Sequence, residues 1–160
     1  MKIKLENNEA AAFHLMYSDT NKHIIIPNVC ISNPQNGKSI NVMGFVDTGA
    51  NRSCISSVIV DALGLSPSGK SDILTASGRI ETDEFRVNLK FCDTPLSVDD
   101  VVVSNVDMNV TDEVIIGMDI ITLGDFAIST IDGKVIASMV IPSALKMDLV
   151  MFSEVMLRHI

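Results

Sequence analysis

Short runs rich in isoleucine and valine recur along the 160 residues, each cut off by a turn-forming cluster, and this pattern leaves few ways for the chain to fold. "HIIIPNVCIS", "KSINVMGFV", "EFRVNLKF", "SVDDVVVSN", "EVII", "FAIST" and "KVIASMVI" each predict a strand. In "EFRVNLKF", Phe85, Val87, Leu89 and Phe91 fall on one face, the alternation of a half-buried strand. Between the runs, "NPQNGK", "ASGR" and "IDGK" set a glycine where a hairpin needs a positive φ. Consecutive hairpins make the expected fold class mainly β, an antiparallel sheet rather than a βαβ layout.

Two short helices are expected within it. "SSVIVDALG" opens on serines that can cap and stops at Gly64, and "MDIITLGD" has Asp119 near its start and Gly124 at its end. In the tail "SALKMDLVMFSEVMLRHI", Leu145, Leu149, Phe152, Met156 and Ile160 follow helical spacing. That spacing predicts an amphipathic helix, lying on its own domain or against a second subunit. The organisation read from these segments is an N-terminal extension over 1–20 able to take part in a dimer, one domain over 21–142 and a helical segment over 143–160.

A chain of this length buries roughly two-thirds of its unfolded surface in a single core. Apolar residues make up 47% and aromatics only 4%, so that core is expected to be Ile, Val, Leu and Met, with some of the excess facing a partner subunit. A net charge of -8 would repel phosphate backbones, so nucleic acid is not an expected partner. Glu6 and Glu9 interrupt the start, where a signal peptide needs an apolar stretch, and no uncharged apolar run is long enough to span a bilayer. The expectation is a cytoplasmic protein with no membrane contact. Cys30, Cys54 and Cys92 are odd in number and widely spaced, which suits reduced core thiols, and His14, His23 and His159 lack the spacing of a metal site.

The chemistry concentrates in "GFVDTGA", residues 44–50, where two apolar residues lead into Asp47 and a small, flexible turn follows. An aspartate after a strand is common by itself. Here it is followed by "NRSCIS", a short helix, a glycine-bearing hairpin and then "VIIGMDIITLGDF", two β-branched residues with Gly117 at a strand end. This ordered pair resembles the retropepsin-like aspartic proteases, single-lobe relatives of retroviral proteases, over about residues 24–141.

The resemblance implies a retropepsin-like lobe and a role for each matching residue. Asp47 would be the catalytic carboxylate, Thr48 and Gly49 would hold its loop and admit substrate backbone, and Ala50 would leave room beside it. Ile115, Ile116 and Gly117 would pack against that loop, the isoleucines lining a substrate pocket, and Ala76, Ser77 and Gly78 would form the tip of a flap over an extended peptide. No metal or organic cofactor is implied. Viral members carry an acidic residue and an arginine where this chain has Asn51 and Met118; Arg52 and Asp119 are expected to supply a pair of reversed polarity instead.

Hydrolysing an amide with water needs one group to take a proton from the water and another to give one to the carbonyl, and two close carboxylates sharing one proton can do both. Only one such loop exists here. Asp19 lacks the glycine, Asp93 is followed by threonine and proline, and Asp132 belongs to a hairpin turn. The expectation is an aspartic endopeptidase completed by homodimerisation, Asp47 facing its symmetry mate. A dimeric peptide-binding module of the same fold without catalysis is the alternative. A lesser one is a nucleotide binder, since "GLSPSGKS" over 64–71 fits the P-loop pattern; against it, the preceding segment reads as a helix and the following one as a strand, the reverse of what a phosphate cradle needs.

Overall fold

The computed structural model of the chain describes residues 1–5, 10–18, 23–75, 78–91, 93–106, 113–144 and 148. In chain order its elements are β1 (Lys2–Leu5), β2 (Ala11–Ser18), β3 (His23–Ser32), β4 (Ser39–Val46), β5 (Cys54–Ile55), α1 (Ser57–Leu63), β6 (Gly69–Thr75), β7 (Gly78–Phe91), β8 (Leu96–Asn105), β9 (Glu113–Ile116), α2 (Met118–Ile121), β10 (Asp125–Ile131) and β11 (Lys134–Ile141).

The alternation read in β7 holds: Phe85, Val87, Leu89 and Phe91 are all at most 3% exposed, and Val98, Val101 and Val103 of β8 are fully buried with them. The turn chemistry holds too. Asp132 and Gly133 have φ of 50° and 76°, the pair of positive values that a two-residue hairpin matched to strand twist requires.

Six strands close into a barrel, because β3 pairs with β4, β4 with β9, β9 with β5, β5 with β8, β8 with β7, and β7 again with β3. The sheet is not wholly antiparallel as expected: β4–β9 and β5–β8 run parallel. The reason is that β5 and β9 are short strands slotted between neighbours distant in sequence, not the arms of hairpins. A flanking sheet runs β10–β11–β2 and joins the barrel at β3. Strand β3 serves both, pairing with β2 through residues 23–25 and with β7 through 29–32. Pro27 lies at the changeover, inside the register shift against β4, where its missing N–H breaks no ladder. The rings of Phe13 and Phe91, 6.2 Å apart, tie the flanking sheet to the barrel core.

Residues expected as an N-terminal extension thus supply two strands, β1 on β8 and β2 between β11 and β3. Helix α1 ends at Gly64 with φ 60°, and the side-chain amides of Asn33 and Asn36 donate to the carbonyl of Leu63. Ser56 at its start makes no capping bond through its side chain, so the expected serine cap is absent. Helix α2 stops at Ile121, short of Gly124, whose Cβ, had it one, would overlap the carbonyl oxygen of Val140. The helix expected beyond Ala144 lies outside the described residues apart from Asp148. Among the described residues no helix is long and apolar enough to cross a membrane.

Candidate active site

Strand β4 delivers Asp47. Val46 pairs in parallel with Ile116, and the Asp47 amide donates to the Ile116 carbonyl at 3.0 Å, so the chain leaves the barrel directly beside β9. It then turns on itself. Ala50 N–H donates to the Asp47 carbonyl at 3.2 Å and Gly49 N–H to Asp47 Oδ1 at 2.8 Å. One carboxylate oxygen is thereby held by the turn while the residue stays exposed; Thr48 and Gly49 are exposed and Ala50 half-buried.

The loop returns into a brace made with residues 117–119. Met118 N–H donates to the Ala50 carbonyl at 2.8 Å. Ser53, fully buried, gives both its amide and its hydroxyl to Asp119 Oδ1, at 3.0 and 2.8 Å, and accepts from Gly117 N–H at 3.1 Å. Gly117 has no room for a side chain, since a Cβ there would sit 2.6 Å from the Arg52 carbonyl carbon and 2.9 Å from the Ala50 oxygen. The two motifs singled out in the sequence therefore meet as one cross-bonded unit.

The expected pairing of Arg52 with Asp119 gives way to two other partnerships. Arg52 forms an ion pair with Glu84 of β7, and Asp119 is taken up by Ser53. The cause is polar satisfaction: a buried serine donor needs an acceptor, and Asp119 is the one the fold supplies. Of the two isoleucines expected as pocket walls, Ile115 is half-buried and Ile116 is fully buried, supporting the loop from inside the core.

Beside this site stands the β6–β7 hairpin. Ala76 and Ser77 of its expected tip lie outside the described residues; Gly78 opens β7 opposite Thr75. The pairing of β7 with β8 ends at Glu84 opposite Ser104, whereas its pairing with β6 runs on from Gly69–Glu84 to Thr75–Gly78. The hairpin therefore projects past the end of β8. Strand alternation puts Ile73 and Ile80 on the same face as Glu84, and Leu74, 84% exposed, on the other. Ile73, Ile80, Glu84 and Ser53 were not singled out in the sequence. Neither "SDILT" nor "RIETDE" alternates apolar with polar residues, so the sequence carried no periodic signal for the two isoleucines.

Cys54 is buried beneath the loop, its thiol directed at the Arg52 carbonyl, 3.4 Å away. Burial, reinforced by the negative charge of Asp119, pushes its pKa up from 9.0 to about 11, so the thiol stays protonated and is no nucleophile at neutral pH. The 64–71 segment runs from the end of α1 into β6, helix before strand, and Lys70 is engaged by Glu81 at 2.7 Å, which raises its pKa. That order offers phosphate no helix N-terminus. Among the described residues no group of His, Cys, Asp and Glu is placed to hold a metal ion.

Residues 30–120 match the family described as "Aspartyl protease". In structure the chain is similar to a retropepsin-like aspartic protease from Rickettsia conorii, with a TM-score of 0.59 and 14% identity, covering 85% of this chain and 95% of that one. No curated protein matches it in sequence.

Proposed function

The chain belongs to the aspartyl protease family, with a retropepsin-like fold, and from that premise we propose that it is an aspartic endopeptidase in which Asp47 works opposite Asp47 of a second copy. The observation that carries this reading is the exposed Asp47 on a turn braced from behind by residues 116–119. A loop so held presents its carboxylate without having to reorganise during the reaction.

In the proposed dimer the two carboxylates share one proton, since both cannot ionise at hydrogen-bonding distance; aspartic proteases are the usual example of such a pair. The ionised one takes a proton from water as the oxygen attacks the peptide carbonyl, and the protonated one gives its proton to the carbonyl oxygen. Collapse of the tetrahedral intermediate then breaks the C–N bond: the nitrogen takes the proton that the first carboxylate drew from water, and the second carboxylate takes a proton back from a hydroxyl of the intermediate, which restores the starting pair. Thr48 and Gly49 keep the loop fixed, Ala50 leaves space, and the hairpin leading to residues 76–78 covers the substrate. The peptide binds extended, as an added strand, with Ile73, Ile80 and Ile115 favouring apolar side chains.

Incubation of the purified protein with a mixed peptide library tests this reading. Cleavage that is blocked by a statine-type inhibitor and lost in Asp47→Asn is expected. A dimeric, folded protein that cleaves nothing between acid and neutral pH would overturn it.

A further inference from the structure

We propose that the Arg52–Glu84 ion pair is a strut that sets the posture of the β6–β7 hairpin over the catalytic loop. This rests on the protease reading of the site, because it assigns the pair to positioning the cover of that same site.

The two ends of the pair differ in how firmly they are held. At Arg52 the main chain is fixed: it abuts Gly117 with no spare room, its carbonyl accepts from Cys54, and the next residue, Ser53, is bonded to Asp119. Glu84 occupies the last register at which β7 is still paired with β8. Among the described residues, the hairpin's only ladder from there outward is its own. The Glu84 carbonyl also receives Ser68 N–H at 2.7 Å and Ser68 Oγ at 3.2 Å, closing the hairpin's base. Two further pins lie nearby, Thr82 Oγ1 on the Asn105 carbonyl and Ser71 Oγ against Ser104 Oγ at 3.3 Å. Neither reaches the catalytic loop. Arg52 therefore joins the immobile loop to the hinge of the part that must move when a peptide enters and leaves.

The pair is half-sheltered, the side chains being 39% and 19% exposed, so it can open without the cost of a fully buried pair. Losing it should free the hairpin and leave the chemistry of Asp47 intact, so binding suffers before turnover does.

The test compares the full-length protein with Glu84→Gln, Arg52→Lys and the exchanged double variant Arg52→Glu/Glu84→Arg. In peptide cleavage, Glu84→Gln is expected to raise KM about tenfold with kcat within about twofold, Arg52→Lys to stay near the parent, and the exchange to recover at least half of the KM loss. Hydrogen exchange is read in parallel on the same variants carrying Asp47→Asn. Faster exchange confined to residues 69–83 in Glu84→Gln supports the strut; unchanged exchange there, or acceleration spread over the whole barrel, overturns it. So does a fall in kcat with KM untouched. If the parent protein cleaves nothing, the protease reading fails and the exchange data alone decide whether the strut exists.

Discussion

One oxygen of Asp119 receives both the amide and the hydroxyl of Ser53, at 3.0 and 2.8 Å, and so fastens the loop that follows Asp47 to the start of α2. Ser53 is fully buried, so neither donor has water to fall back on. Asp119→Ala is expected to cost about 2 to 3 kcal/mol, lowering Tm by roughly 5 to 10 °C. Asp119→Asn retains an acceptor and should cost less than half of that. Thermal unfolding of the two variants checks both values, and equal costs would show that the bonds to Ser53 are not what Asp119 contributes.

Gly117 is needed for lack of space. With backbone atoms of Arg52 and Ala50 under 3.0 Å from any Cβ, nothing flexible can yield, and Gly117→Ala must push the Asp47 loop away from β9. The expected destabilisation is about 2 kcal/mol or more. Cleavage should fall more steeply than stability, because an ångström of displacement at Asp47 costs about a hundredfold in rate. Denaturant titration and steady-state kinetics on one preparation separate the two effects.

Asp47→Asn should leave the fold alone. The amide oxygen can still accept from Gly49 N–H, and the site is exposed, so stability is expected to stay within about 0.5 kcal/mol. Peptide cleavage is expected to drop by at least about a thousandfold. Cleavage that survives would assign the chemistry to another residue.

Mixing subunits offers a second check. If two copies share the site, adding excess Asp47→Asn protein to the parent should suppress activity as mixed dimers form, each with one aspartate. Undiminished activity after full subunit exchange would show that one chain suffices.

Cys54 gives a pH signature. Its proton is held more tightly in the folded state, with a pKa of about 11 against 9.0, so it contributes stability below pH 9 that is lost as pH rises towards 11. The span amounts to about 2 to 3 kcal/mol. The stability difference between the parent and Cys54→Val should be flat between pH 6 and pH 8 and shift in favour of the variant above pH 9; a constant difference throughout would mean the thiol is not so buried.

Strands β3, β4, β8, β9, β10 and β11 were legible because each couples an apolar run to a turn residue whose chemistry ends it, and the inner half of β7 was legible from its alternation over residues 84–91. Strand β2 carried a signal in its alternating Ala11, Phe13 and Leu15, yet Ala11 lies between two further alanines, Ala10 and Ala12, which blur the pattern at its start. Strand β5 could not be read from any window: two residues become a strand only because β8 and β9 flank them. For the site, the motifs fixed which segments meet, and the structure fixed which side chains bond. The pairing of Arg52 with Glu84 depends on where β7 leaves the barrel, and the sequence pattern around "NRSC" gave no sign of that.

Strand β2 sits between β3 and β11, and that position limits how far the chain can be shortened. A version starting at residue 21 would leave the last two strands with no neighbour to dock on and uncover the ring of Phe91. Attempts at a minimal version of this domain should trim elsewhere.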